Sequence, residues 1–346
     1  MKKTNSALFA LLLAATPALA QPVEIAVTAR AETAGSDGDV DDPAIWVNAA
    51  DPAASLILGS DKSEGGLRVY DLTGAEIAFF PDGILNNVDL RPFELNGQPV
   101  TLVGASRRDQ EELLFWIIEG GVLRRADPFQ HPPVPPELLD VADDIYGFTM
   151  AQDAGGTYAI VNYKSGHIIQ WRVTQDAGRI ALEFARTWTV VSQPEGMTGD
   201  DAAGHIYVGE EDVGIWRFPL SPDLPATATA IDMIPSACLP RDDVEGLAVF
   251  DDGSQRLLVA SAQGVNRAVI YRLDGEAVPV CIASVAVGPG VIDGVSETDG
   301  LDVTAAAMGP DWPQGMLVMM DDQNAGFTIN FKLIDWADIA AQLPQQ

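Results

Sequence analysis

A small set of polar residues stands out by type and by spacing. Lys62, Arg108, Lys164, Glu210-Glu211, Gln263 and Asp321-Asp322 each follow a short apolar run that opens onto a polar loop. Asp41, Asp42, Asp89, Tyr146, Glu195, Asp243, Glu245, Asp299 and Asp302 mark the starts of the runs before them. In chain order the first three loops carry cations, and the next three carry carboxylates and an amide. Crowded carboxylates repel one another, and without a counter-charge some must bind protons. Donor oxygens from Asp, Glu, Gln and backbone carbonyls on irregular loops suit Ca²⁺, which takes about 6–8 oxygens in flexible geometry, better than Mg²⁺ or Mn²⁺. A bound cation beside Lys and Arg makes an anion site, and specifically a phosphate site. The metal polarises phosphoryl oxygens and acidifies a bound water, while Arg grips phosphate with two donors.

Residues so far apart in sequence need a scaffold that superimposes them, and the chain carries a degenerate repeat. Six short strands end in an aromatic, at Tyr70, Trp116, Trp171, Trp216, Tyr271 and Phe331, spaced 46, 55, 45, 55 and 60 residues apart. Each is preceded by a smoother apolar strand and, further upstream, by a polar start leading into another strand. Three or four strands per unit is the content of one propeller blade. The expected fold is all-β, a six-bladed β-propeller with four-stranded antiparallel blades and no domain boundary across residues 21–346. The alternating segment 23–33 is placed to add a strand to the last blade and close the ring, which removes open edges. The Pro-rich stretches 127–139 and 221–240 read as excursions between blades, and a short helix is expected near residues 336–343. A propeller sets equivalent loops around one end of its channel, so the loop residues and the strand starts are expected to meet there.

Composition narrows the function further. The chain has 346 residues, 47% of them hydrophobic, which supports a large core and excludes disordered and collagen-like classes. With 50 acidic against 20 basic residues, the net charge is −30. Such a surface repels nucleic acid and anionic membrane, so neither partner is expected, and a monomer acting on a small molecule is. Residues 1–20 read as a signal peptide, with Lys2 and Lys3, an apolar run from Ala7 to Ala15, and Ala18-Leu19-Ala20 as the cleavage site. Export to the periplasm or the outside is the expectation. Cys238 and Cys281 could pair in an oxidising compartment or remain two buried thiols. No Cys-x-x-Cys or Cys/His cluster offers a zinc site, and there is neither an Arg-His-Gly-x-Arg motif nor a Cys-x5-Arg phosphatase loop.

Two segments carry a resemblance. Asp41-Asp42-Pro43-Ala44-Ile45-Trp46 and Asn86-Asn87-Val88-Asp89-Leu90-Arg91 resemble hallmark segments of the β-propeller phytases. Similar matches continue in order through Tyr146-Gly147-Phe148, Glu195-Gly196-Met197, Glu210-Glu211-Asp212, Asp243-Val244-Glu245-Gly246-Leu247, Ala262-Gln263-Gly264 and Thr298-Asp299-Gly300-Leu301-Asp302-Val303. The resemblance implies a calcium-dependent hydrolase of phytate phosphomonoesters, of the 3-phytase type, in which a calcium-activated water attacks phosphorus without a covalent enzyme intermediate. It implies several calcium ions held by Asp41, Glu195, Glu211, Asp243, Glu245, Gln263 and Asp299. It assigns the phosphates to Lys62, Arg108, Tyr146 and Lys164, and a structural calcium to Asp42, Pro43 and Val88. Where the family carries two adjacent lysines, this chain has Asp61-Lys62. A carboxylate near a neighbouring phosphate would weaken substrate binding, unless Asp61 turns outward as a loop residue. A lactonase-like hydrolase or a non-catalytic binding module would use the same fold without needing cations on three equivalent loops.

Overall fold

The computed structural model describes residues 21–126, 134–274, 278–324, 326 and 328–344. The expected leader, residues 127–133 of the first Pro-rich stretch and Phe327 lie outside them. Six sheets are arranged as the blades of a propeller. Blade one runs Val40–Trp46, Leu56–Asp61, Gly66–Tyr70 and Glu76–Phe80, and each strand pairs antiparallel with the next. Blades two to five repeat this order from inner strands Leu85–Leu95, Ile145–Asp153, Pro194–Asp200 and Val244–Asp251. Blade six is built from Leu301–Thr304, Met316–Asp321 and Asn330–Asp335, and is completed by Ala31–Glu32 from the other end of the chain.

Closure differs from the sequence expectation in one respect. Segment 23–33 divides: only Ala31–Glu32 joins the last blade, while Val23–Thr28 lies parallel to Val280–Gly288 as a fifth strand on blade five. The alternation explains this, because Ile25 and Val27 turn into the core between blades five and six beside Trp336 and Ile339. That helix is Trp336–Ala340, with the Asp335 side chain accepting from the Ala337 amide at its N-cap. Stretch 221–240 is also more than an excursion, since Thr229–Met233 is the outer strand of blade four.

Among the described residues the core consists of six apolar clusters, one between each pair of neighbouring blades. The repeat aromatics supply much of it. Tyr70, Trp116, Trp171, Tyr271 and Phe331 are fully buried, each contributing about 2–3 kcal/mol of apolar transfer, whereas Trp216 is half-buried and donates its indole N–H to Glu210 at 2.7 Å. Cys238 and Cys281 are joined in a disulfide, Cα atoms 6.5 Å apart, which ties the approach to blade five to that blade's outer half.

Candidate active site

Two sets of six backbone positions build the site. The first lies where each second strand ends. The amides of Lys62, Arg108, Lys164, Glu211, Gln263 and Asp322 donate to the carbonyls of Asp39, Ile84, Asp144, Gln193, Asp243 and Ser296, at 2.8 to 3.2 Å. One repeated hydrogen bond thus fixes an outer ring of side chains around the mouth. Strand alternation then sorts each neighbouring pair. In Glu210-Glu211 and Asp321-Asp322 the first residue is buried: Glu210 accepts from Ser192 Oγ at 2.7 Å, and Asp321 from the Ser296 amide at 2.9 Å. Only Glu211 and Asp322 occupy the ring.

The same parity overturns the expectation for Asp61. Its side chain is fully buried within blade one, where it accepts from Arg68 Nε at 2.9 Å and from the amides of Ser63 and Glu64 at 3.0 and 2.8 Å. Asp61 therefore neither meets a phosphate nor points outward as a loop residue.

The second set arises from β-bulges. The register slips between Val40 and Pro43, Leu85 and Val88, Ile145 and Phe148, Pro194 and Met197, and Val244 and Leu247. A bulge re-aims the residues it releases, here into the mouth. The first residue of each is Asp41, Asn86, Tyr146, Glu195 and Glu245, and Asp299 precedes the inner strand of blade six in the same way. This inner ring is tight. A Cβ on Gly196, which follows Glu195, would lie 1.9 Å from the carbonyl oxygen of Glu245 on the next blade. Glycine is required there by the approach of the two chains.

The acidic half of the mouth brings one carboxylate oxygen from each of Glu195, Glu211 and Glu245 within 4.8 Å of one another. Asp41 and Glu245 are held well above the usual carboxylate range, first by burial and then by neighbouring acids, against which Lys62 works at Asp41. Burial pushes Glu211 up to about 7, with Gln193 opposing and the charges of Glu195 and Asp243 adding to it. Gln263 donates to Asp299, whose other oxygen receives Lys62 Nζ at 2.8 Å, and Lys62 also binds Asp41 at 2.8 Å. Asp243 sits further out, half-buried at a positive φ of 77°, its amide donating to Glu211 O at 3.0 Å. Asp41 Oδ2 and Glu245 Oε2 are buried without a hydrogen-bond partner among the described residues. Unpaired anionic oxygens at that depth are costly, and hard cations are what such oxygens accept. The donor set fits calcium.

The cationic half is organised by Tyr146. Arg108 Cζ lies 5.3 Å and Lys164 Nζ 4.5 Å from the centroid of its ring, and both cations approach Asp144 at 3.8 Å. Burial first, then the charges of Glu195 and Glu245, raise the Tyr146 phenol far above its ordinary value, so it keeps its proton. Past the bulges, Asp42, Pro43 and Val88 line a cavity of about 250 Å³ in the channel, with Asp89, Arg91 and Asp302. Asp42 accepts from the Val88 amide at 3.0 Å. Asp89 and Asp302, grouped by sequence with the mouth, therefore lie inside the channel, where each also accepts an amide of the next blade: Asp89 from Met150 at 2.8 Å and Asp302 from Ile45 at 2.7 Å. One ring member, Asn86, was given no role by the sequence, and Asp322 was named only as a pair with Asp321. Aligning the six strand starts would have found Asn86, and strand parity would have selected Asp322 over Asp321.

Fold and site together define a six-bladed propeller whose mouth sets a triad of cations against a crowd of carboxylates. The chain belongs to the phytase family, whose model, described as Phytase, matches residues 4–346. It is 34% identical over 333 residues to the 3-phytase of Bacillus subtilis (strain 168), spanning 92% of this chain and 85% of that one. The β-propeller domain of Myceliophteria thermophila Cps50 (Swd1) shares the fold, with a TM-score of 0.51 at 12% identity over 86% of this chain and 85% of that one. A functionally unknown protein from Desulfotomaculum acetoxidans aligns at a TM-score of 0.46 and 14% identity over 71% of each chain.

Proposed function

We infer that this chain is a phosphomonoesterase of phytate and that calcium ions seated in its acidic half complete the site. Family membership and the 3-phytase relative support the substrate and the reaction. The observation that carries the metal reading is the pair of buried, unpartnered oxygens on Asp41 and Glu245 beside the Glu195–Glu211–Glu245 cluster. The calcium ligands would be Asp41, Glu195, Glu211, Asp243, Glu245, Gln263 and Asp299, with Asp42, Pro43 and Val88 as a separate channel site. Bound calcium would supply Lewis acidity toward the phosphoryl group and toward the attacking water.

The chain's own residues do the rest by position and charge, as phosphoryl transfer requires. Arg108 offers a planar pair of donors to a phosphate, and Lys164 adds a second charge across the Tyr146 ring. Tyr146 keeps a proton on its phenol and presents a rigid ring on which both cations are held. Lys62 bridges the halves: its ammonium is held by Asp41 and Asp299 on one side and would offer its remaining donor to a phosphate on the other. Both rings close within a single chain, which supports action as a monomer. We further propose export directed by residues 1–20, a reading that the disulfide supports.

The test is phosphate release from calcium phytate, with and without excess chelator, followed by calcium add-back. Loss and recovery are expected. Full turnover in chelator would end the metal reading while leaving the phosphatase intact.

A further inference from the structure

Five of the six inner-ring residues already have roles; the sixth, Asn86, does not. It is completely buried, and both poles of its amide are engaged. Nδ2 donates to Glu195 Oε1 at 2.7 Å and to Asn87 Oδ1 at 2.9 Å, while Oδ1 accepts from Arg108 Nη1 at 3.4 Å. Its main-chain carbonyl is separately held by the Ser60 hydroxyl. Only one amide orientation serves. Reversed, its oxygen would face the Glu195 carboxylate and its NH₂ the Arg108 guanidinium. Glu195 otherwise stands beside the Tyr146 phenol and among acids, its charge felt at Asp41, Glu211 and Glu245. A neutral donor at this ring position orients the carboxylate without adding another charge to the crowd.

We propose that Asn86 is a positioning residue: it holds the Glu195 carboxylate in register with Glu211 and Glu245, and it links that cluster to Arg108. Cation binding and phosphate binding are thereby coupled through one amide. The inference rests on the calcium reading above.

Calcium affinity measured by titration calorimetry tests it, alongside kcat and KM for phytate. Asn86→Ala removes both poles, and Asn86→Leu removes them while keeping the branched shape. Each should raise the calcium Kd by about 10- to 100-fold, the usual cost of losing a partner that orients a metal ligand. Each should lower kcat more than it raises KM, with melting in chelator close to wild type. Arg108→Ala, on the exposed side of the link, should also weaken calcium binding in the wild-type background, and no longer do so beside Asn86→Ala. This pair of measurements stands even if Asn86→Leu folds poorly. A folded Asn86→Leu protein with wild-type calcium Kd and kcat overturns the role of Asn86 alone. A wild-type protein that binds no calcium overturns the metal reading, and this inference with it.

Discussion

Blades one to three and blades four to six each present three equivalent backbone positions to the mouth, held by the same kind of hydrogen bond, cationic on one side and acidic or amide on the other. On one side stand Lys62, Arg108 and Lys164; on the other, Glu211, Gln263 and Asp322. The propeller decides where a side chain stands, and its identity alone decides what the position does. The halves also differ in how their charge is stabilised. The cations lean on the Tyr146 ring and on Asp144, Asp41 and Asp299, and are partly solvated. The acids face one another with two oxygens unpartnered. The cationic half is thus nearly self-sufficient, whereas the acidic half is stable only with protons or a metal.

On the calcium reading proposed above, chelation should have the largest effect, and should act through pH on the acidic half and the carboxylates of the channel beneath it. Glu211 is pushed up to about 7 and Asp41 and Glu245 also lie above their ordinary values, and in the channel beneath them Asp302 is pushed up to about 7 and Asp42 is raised, all chiefly by burial. In the unfolded chain these carboxyls titrate near about 4. Between about pH 4 and 7 the folded state therefore holds more protons, and its stability falls as pH rises. In chelator the protein should melt several degrees higher at pH 5 than at pH 8, and the stabilisation by calcium should grow over the same interval. Equal melting at both pH values in chelator would break the contrast between the halves.

Glu211→Gln keeps the shape of the acidic half and removes one charge from the cluster of three. A fall in kcat of about 100- to 1000-fold is expected, comparable to the loss of one preorganised electrostatic group. The same change should flatten the pH dependence of melting in chelator, because one titrating carboxyl is gone. Wild-type kcat in this variant would remove Glu211 from the machinery.

Most of the scaffold and the two halves were legible before the fold was known, because both depend on residue type at a regular spacing. The six terminal aromatics mark the interblade cores, and the cations follow the second strands directly. What was not legible depends on register. Asp61 and Lys62 are neighbours of opposite destiny, and only the pairing of Asp61 with Gly66 and Val40 tells which one faces into the blade. Asn86 carries no charge, so nothing in its type suggested that it stands with Asp41 and Glu195. The outer strand Thr229–Met233 lies in a Pro-rich stretch with one buried side chain, Ile231, too little alternation to read as a strand.

On the cationic half, Arg108→Ala should cost less than Glu211→Gln, because Lys62 and Lys164 remain. Losing a charge-assisted pair of hydrogen bonds corresponds to about 10- to 100-fold in kcat/KM. Part of the loss should appear in KM and shrink at high salt, since partly exposed charges are screened. A loss confined to kcat and indifferent to salt would place Arg108 on the acidic half's side of the comparison.

Asp61→Asn should have the smallest effect on catalysis and a clear one on stability. The wild-type carboxylate is fully buried with Arg68, and its oxygens also close the turn through the amides of Ser63 and Glu64. Burial alone would raise its pKa, but the amides of Ser63 and Gly65 and the Arg68 guanidinium outweigh burial and hold it below the ordinary value. Asn supplies one acceptor oxygen and no charge, leaving Arg68 to Glu64 and Glu76 at the rim of the blade. Breaking a buried pair from one side costs about 3–5 kcal/mol, so the melting temperature should drop measurably. Lys62 stands on the opposite side of the strand, and its ring position is set by a main-chain bond to Asp39 that the substitution leaves intact. KM for phytate at low salt should therefore stay at the wild-type value in protein that remains folded. A lower KM in Asp61→Asn, with melting unchanged, would return Asp61 to the mouth and make blade one an exception to the parity that orders the other loops.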